Sequence, residues 1–251
     1  MEDQTTADGF AHEIEFWKGF VKSERFLNNW VFPEQNPEIR ANHPDVAKCF
    51  DDFYAQWVAE QGGEKEVEPD HMRPHVLDVG SGALSWIKGL IRMRLYSCDP
   101  LAHEYREIFD YHSHPNAIDY IPHKVSAEEL SKEYPENFFD IVHCSNALDH
   151  TQNPYKAILE MERVCRPGGM ILIQGFENEA IHEDWKGLHQ WNIRQCKTHL
   201  EVRSKEDHET GSVLSYLDHK PDEIIYANTT TIQTGAHAER NWFVFAYKNT
   251  K

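Results

Sequence analysis

The feature that most constrains this chain is a short apolar run that leads directly into a glycine turn. Residues 76–79 read Val-Leu-Asp-Val, and Gly80, Ser81 and Gly82 follow at once. This pattern predicts a buried strand, a tight turn and then a helix through Leu90. Glycine lets the backbone approach a ligand closely, and open α/β sheets bind ligands at the carboxyl ends of their strands. A tight turn without any ligand is the alternative interpretation.

An acidic residue follows the second predicted strand. Asp99 comes directly after residues 95–98 and is followed by Pro100. A carboxylate at this place can accept hydrogen bonds from both hydroxyls of a ribose. By itself Asp99 could simply cap a helix. Together with the glycine turn it predicts a site for a nucleoside.

Apolar or β-branched runs alternate with helical stretches from Pro74 onward. Such alternation predicts an α/β fold with a doubly wound, mostly parallel sheet. The last two runs would add a terminal pair and complete a seven-stranded sheet with one antiparallel strand. The predicted strands are residues 75–79, 95–98, 118–121, 139–144, 170–174, 224–232 and 242–247.

Charge and composition restrict the partners. The formal net charge of -17 disfavours binding to a phosphate backbone, so no nucleic-acid partner is predicted. No run of about 18 apolar residues and no basic leader with an apolar stretch appears, so we predict no membrane contact and a cytoplasmic protein. The five cysteines lack C-x-x-C spacing, which predicts reduced thiols.

Later motifs separate a single nucleoside from a dinucleotide. Ser85 stands where the dinucleotide fingerprint needs glycine or alanine, and bulky Leu84 precedes it, which disfavours a pyrophosphate and a nicotinamide oxidoreductase. Three further motifs follow at residues 126–130, 138–142 and 163–170. With these motifs the chain resembles class I S-adenosylmethionine-dependent methyltransferases over residues 74–174. The resemblance implies a Rossmann-like methyltransferase fold and S-adenosylmethionine as the cofactor, with S-adenosylhomocysteine as its product.

The resemblance also implies roles for individual residues. The methionine part of the cofactor would be lined by Asp78, Gly80, Ser81 and Gly82. Asp99 would hold the ribose and Leu101 would pack near the adenine, where Ala127 and Glu128 also lie. Residues 126–130 could equally form a capping box at the start of a helix. Ser145 and Asn146 would face the reacting sulfonium.

Residues 146–150 and 187–192 look like a subset of this superfamily often associated with the methylation of surface glycans and small molecules. This resemblance implies O-methylation of a small molecule or a saccharide, including a nucleotide-linked or glycan-linked sugar. The leader around Trp17 resembles that of the same subset, where such helices lid the active site. We therefore predict a helical lid over residues 1–70 and a cofactor-binding domain over residues 71–251. Residues 176–220 are predicted to be a substrate cap within that domain.

Methyl transfer to a hydroxyl is an in-line displacement that also needs a group to take the proton. His150 is the first candidate for this base, because it follows the fourth predicted strand, and the adjacent Asp149 would orient it or act as a second acidic group. His189, within the predicted cap, is the second candidate. Three tryptophans are predicted to contact the acceptor: Trp17, Trp185 and Trp191.

Several alternatives remain open at this point. No metal site is predicted, although Asp149 and His150 could hold a divalent ion together with Glu177 or Asp184. A module that binds the cofactor without catalysis, as a sensor or scaffold, would keep the same motifs. The aromatic N-terminal helices could form a homodimer contact instead of a lid, and Trp17 could merely pack on the domain.

Overall fold

A computed structural model describes residues 4–32, 36, 38–61, 73–210, 221, 223–233 and 235–251. Its strands are β1 (His75–Val79), β2 (Arg94–Cys98), β3 (Phe139–Ser145), β4 (Cys165–Phe176), β5 (Asn192–Cys196), β6 (His199–Arg203), β7 (Ile224–Thr231) and β8 (Asn241–Lys248). Its α-helices are α1 (Gln4–Phe20), α2 (Glu24–Phe26), α3 (Glu38–Asn42), α4 (Pro44–Glu60), α5 (Ala102–Ile108), α6 (Pro115–Ile118), α7 (Pro154–Val164), α8 (Glu179–His182) and α9 (Lys205–Thr210).

Six of these strands form one sheet in the order β2-β1-β3-β4-β8-β7. Strands β1 to β4 pair in parallel, whereas β8 runs antiparallel to both of its neighbours. Strands β5 and β6 form a separate antiparallel hairpin. The central strands are buried on both faces, which is why their sequences read as continuous apolar runs rather than alternating ones. The doubly wound, mostly parallel α/β fold predicted from the sequence is confirmed.

Helices cover both faces of the sheet. On one face, Leu77 and Val142 belong to a core cluster with Ile158 and Met161 of α7. On the other face, the core includes Phe50 of α4. The sequence sets the start of α7 locally, because the Asn153 side chain accepts a hydrogen bond from the Lys156 N–H and Pro154 occupies the first turn.

The predicted strand at residues 118–121 is wrong, and the sheet has six strands in the described part of the chain rather than seven. Pro115 begins the helix α6 in this region, because its fixed φ suits the first helical turn. Next to β2, the edge is extended only by an isolated parallel bridge between Cys98 and His123.

The N-terminal helices and the cap region surround one end of the sheet. Helix α1 packs against α5. A π-helix at Leu27–Val31 adds Val31 to a buried cluster that includes Trp17, Phe26 and Tyr105. The predicted cap holds α8, the β5–β6 hairpin and α9, while its residues 211–220 lie outside the described residues. The predicted lid likewise includes residues 1–3, 33–35, 37 and 62–70 that are not described. No helix among the described residues is long and apolar enough to span a bilayer.

Candidate active site

The glycine turn after β1 has the backbone that its sequence demands. Gly80 and Gly82 have φ values of 69° and 65°, a conformation that residues with a Cβ rarely adopt. A Cβ at Gly80 would also collide with Ala147, and one at Gly82 would collide with the ring of Trp17. The turn therefore needs glycine for its positive φ values and for the close approach of Ala147 and Trp17.

Asp99 is buried directly beside this turn. It is only 7% exposed, and its two carboxylate oxygens accept hydrogen bonds from the N–H of Gly82 (3.0 Å) and the N–H of Leu101 (2.9 Å). Burial raises the pKa of Asp99 to about 7, although these two donors counteract the effect. The Tyr105 side chain also donates to this carboxyl group, yet the pKa remains raised, so further donors such as ribose hydroxyls would stabilise its charged form.

Asp78 belongs to a different network of buried polar side chains. One oxygen accepts a hydrogen bond from Ser85 Oγ (2.6 Å), and the other lies 2.7 Å from His143 Nδ1. His143 Nε2 in turn lies 2.7 Å from Gln174 Nε2. All four side chains are buried. This chain of contacts fixes the glycine turn to the middle of the sheet.

His143 was not identified from the sequence as a functional residue. Its signal was present, because a histidine interrupts the apolar run of β3 and stands in register beside Asp78 of β1. Recognising it requires the strand register, which a single sequence does not provide.

A large cleft of about 1540 Å³ opens at the carboxyl ends of β1, β2 and β3. It brings together most of the residues predicted from the sequence. These lining residues are Trp17, Asp78, Gly80, Ser81, Gly82, Asp99, Leu101, Ala127, Glu128, Ser145, Asn146, His150 and His189.

Two loop residues of the cleft are held by hydrogen bonds to neighbouring segments. Glu128 Oε1 accepts from the backbone N–H groups of Gln152 (2.7 Å) and Asn153 (3.2 Å). Asn146, with a positive φ of 50°, accepts from the N–H of Phe176 at 3.2 Å. The capping box considered for residues 126–130 is wrong, since Ser126 makes no side-chain cap hydrogen bond.

Asp149, His150 and His189 meet at the cleft, although His189 is 40 residues from Asp149 along the chain. Asp149 Oδ2 lies 2.7 Å from His189 Nδ1, which lies 3.1 Å from His150 Nε2. Burial alone would raise the pKa of Asp149, but the charge of His150 and the hydrogen bond from His189 lower it. Burial likewise favours a lower pKa for His189, but Asp149 raises it. The structure thus joins the two candidate bases to one carboxylate.

The three predicted tryptophans lie in different places. The ring of Trp17 covers Gly82 and contacts Tyr105, with 5.4 Å between ring centroids. Trp185 lines a second cavity, of about 640 Å³, that adjoins the cleft at His189. Trp191 donates from Nε1 to the carbonyl of Thr151 at 2.8 Å and packs against the core. Of these three tryptophans, only Trp17 lines the main cleft.

A wall of the cleft opposite the glycine turn was not predicted. Both oxygens of Glu179 accept hydrogen bonds from Arg240, which also pairs with Glu183 at 3.1 Å. Burial raises the pKa of Glu179, although the charge of Arg240 counteracts it. Beside them Phe176 packs edge-on against Trp242, with centroids 4.8 Å apart. No local pattern signals this wall, because its residues come from separate segments.

Comparison with known proteins agrees with this architecture. Residues 77–173 match the protein-family model described as a methyltransferase domain. A ubiquinone biosynthesis O-methyltransferase of Pseudomonas syringae pv. tomato is 31% identical over 102 residues, which cover 38% of this chain and 41% of that protein. A second protein of that name, from Dechloromonas aromatica, is 38% identical over 56 residues, which cover 22% of this chain and 23% of that protein. The matched segment thus spans less than half the length of either curated relative.

Solved structures extend the likeness to the whole fold. The N-methyltransferase NodS from Bradyrhizobium japonicum, in complex with S-adenosylhomocysteine, superposes with a TM-score of 0.52 at 12% identity and covers 99% of this chain and 100% of its own. A putative sarcosine dimethylglycine methyltransferase from Galdieria sulphuraria gives 0.51 at 12% identity, over 95% and 98% of the two chains. These structures show that the chain has the Rossmann-like methyltransferase fold predicted from the sequence, which is thus confirmed.

Proposed function

We propose that this chain is an S-adenosylmethionine-dependent methyltransferase that methylates an oxygen atom of a small molecule or saccharide. The observation that carries the proposal is the shared cleft. The glycine turn and the buried carboxyl of Asp99 lie in the same cleft as the His150–His189 pair. This arrangement supports the proposal, because a group transfer requires the donor and a proton acceptor to lie close together.

The residues present fit the cofactor on structural grounds. Asp99 is buried and accepts from the N–H groups of Gly82 and Leu101 and from the Tyr105 side chain, yet its pKa remains raised, so the two hydroxyls of a ribose would stabilise its charged form further. Leu101, Ala127 and Glu128 line the adjoining part of the cleft and would flank the adenine. When bound, S-adenosylmethionine supplies a methyl group activated by a sulfonium. Ser145 and Asn146 line the same cleft as the glycine turn and the histidine cluster and would face that group.

A histidine of the cluster takes the proton in this proposal. As the new O–C bond forms and the S–C bond breaks, the acceptor hydroxyl gives its proton to an imidazole nitrogen. The contact of Asp149 with His189 Nδ1 leaves Nε2 of His189 as the basic atom, which favours His189. His150, the first candidate from the sequence, lies beside it and lines the same cleft.

The acceptor would be bound on the side of Glu179 and Phe176. Aromatic faces beside carboxylates suit a polar molecule with an apolar or ring-shaped part, such as a saccharide. The names of the two curated relatives support an oxygen acceptor. The cap of residues 176–220 would close over this acceptor, while the lid of residues 1–70 would cover the donor through Trp17. Free cysteines support a cytoplasmic location.

Calorimetric titration with S-adenosylmethionine, S-adenosylhomocysteine and NAD tests the donor. Micromolar binding of the two adenosyl compounds, without binding of NAD, is the expected result. A screen of hydroxyl acceptors with isotope-labelled methyl donor then tests turnover by mass spectrometry. Binding of NAD alone would reject the proposal in favour of an oxidoreductase. Donor binding with no turnover on any acceptor class would favour a sensor or scaffold.

A further inference from the structure

Three atoms that can each offer a lone pair converge on one point in the cleft wall. His189 Nδ1 lies 2.7 Å from Asp149 Oδ2 and 3.1 Å from His150 Nε2, and the remaining pair, His150 Nε2 and Asp149 Oδ2, is 3.6 Å apart. A neutral imidazole carries a single N–H. If His189 Nδ1 donates to Asp149, the same hydrogen cannot also make a well-directed bond to His150. The single hydrogen on His189 Nδ1 therefore cannot serve its contacts with both Asp149 and His150.

A cation at the centre of this triangle would satisfy all three atoms at once. We propose that Asp149, His150 and His189 form a binding site for one divalent transition-metal ion. All three ligand atoms lie within 4.8 Å of one another. Each lies about 1.9 Å from the centre of the triangle, so an ion held at the usual distance of about 2.1 Å would sit about 1 Å to one side of its plane.

The donor set selects the class of ion. Two imidazole nitrogens and one carboxylate oxygen suit zinc, iron(II), cobalt(II) or manganese(II), whereas magnesium and calcium prefer ligands that are all oxygen. Three protein ligands are also the number found at catalytic sites, which keep a position open for water or substrate. His150 and His189 line the cleft, while Asp149 is only 5% exposed behind them. The open position would therefore face the acceptor side of the cleft.

The fold holds the three ligands before any ion binds. Asp149 and His150 lie on a short 3-10 turn, Leu148–His150, directly after β3. The segment of His189 is joined to this turn by the Gln190 N–H, which donates to the carbonyl of Asp149 at 3.2 Å. Such preorganisation keeps the ligands near the required geometry.

The other acidic residues considered from the sequence do not complete the triangle. Glu177 accepts hydrogen bonds from the N–H of Gln195 and from Asn241 Nδ2. Asp184 forms an exposed ion pair with Lys186. The third ligand is His189, which only the folded chain brings beside Asp149.

Metal binding changes how the acceptor would lose its proton. An imidazole that binds a cation through Nδ1 carries its hydrogen on Nε2 and has no free nitrogen to take a proton, so a loaded cluster would act by lowering the pKa of a hydroxyl bound at the open position. This catalytic consequence rests on the proposed function. The binding site itself rests only on the geometry of the three side chains.

The test is a titration of chelator-treated, full-length protein with zinc(II) and cobalt(II), followed by calorimetry and by the visible spectrum of cobalt. We expect each chain to bind one zinc(II) or cobalt(II) ion. A large excess of magnesium should not displace that ion. His189→Ala and Asp149→Asn should each weaken binding by about tenfold to a hundredfold or more. His182→Ala removes a histidine from the neighbouring helix α8 and should leave binding unchanged.

The absence of stoichiometric binding by the wild-type protein would overturn the inference. So would equal losses in His189→Ala and His182→Ala. His150→Ala serves as a second ligand variant, and the Tm of each variant checks that it is folded. S-adenosylhomocysteine binding to the metal-free protein separates the two proposals. Donor binding without metal binding rejects only the metal site, whereas metal binding without donor binding rejects only the proposed function.

Discussion

The proposed donor side and the proposed acceptor side of the cleft are built in different ways. On the donor side, Gly80, Gly82 and Asp99 lie at the ends of two adjacent parallel strands, and hydrogen bonds link the turn to Asp99. On the acceptor side, Glu179 meets Arg240 across 61 residues of sequence. The donor side is thus specified by short strand-to-turn patterns, whereas the acceptor side depends on contacts between distant segments. Changes of acceptor could therefore occur without disturbing the donor site.

The sharpest test of this separation is His189→Ala. We expect turnover to fall by roughly two to four orders of magnitude, because the substitution removes the imidazole favoured as the proton acceptor and one of the three proposed metal ligands. The dissociation constant of S-adenosylhomocysteine should stay as it is. Single-turnover kinetics and calorimetry measure the two effects separately. A matching loss of donor affinity would mean that the two sides are not independent.

Asp99→Ala tests the proposed donor side of the cleft. It removes the acceptor of both ribose hydroxyl bonds, each of about 1.5 to 3 kcal/mol for a charged partner, so the dissociation constant should rise about a hundredfold or more. Asp119→Ala removes an exposed carboxylate from the same half of the fold and serves as the control. Unaltered donor binding by Asp99→Ala would reject the ribose assignment.

A change of pH should alter donor affinity less than Asp99→Ala does. The affinity should fall only as the pH is lowered. The pKa of Asp99 is raised to about 7, so its carboxyl group becomes protonated below that pH and accepts fewer hydrogen bonds. Donor affinity should be constant above about pH 8 and should decrease by up to about tenfold per pH unit below pH 7. Titrations of the wild type and of Asp99→Asn compare the two profiles. A slope that persists in Asp99→Asn would assign the effect to another group.

Glu179→Gln should have the smallest effect. It weakens the paired contact with Arg240 and alters the acceptor wall, so we expect the KM of the acceptor to rise about threefold to tenfold. Donor affinity should not change. Glu183→Gln provides the control, since this carboxylate also meets Arg240 but is 39% exposed rather than 7%. Equal effects of the two substitutions would remove Glu179 from the acceptor site.

The difference between the two sides also explains what the sequence could predict. The strand, the turn and Asp99 carry their signals within a few neighbouring residues, and the structure places them as expected. The pair of Asp149 and His150 was predicted because these residues follow β3 closely. Its geometry with His189 was not predictable, since the segment from residue 176 onward, which carries His189, lacks a clear period.

One error has a specific physical cause. Residues 118–121 contain enough apolar side chains to suggest a strand, but Pro115 commits the preceding segment to a helix and Ile118 is 37% exposed. The contact of Trp191 with the acceptor, expected from its place in the cap, stays a prediction. Its Nε1–H donates to the Thr151 carbonyl and its ring packs on the core, and residue type alone does not reveal either contact.

The position of β8 has a consequence for the order in which the sheet can assemble during synthesis. This strand comes after all the other described strands in the chain, yet it lies between β4 and β7 inside the sheet. A ribosome that synthesises the chain therefore delivers this inner strand after both edge strands, β2 and β7. Arg240 and Trp242 arrive with that strand, so the nascent chain can complete its donor half before the wall that faces the acceptor exists.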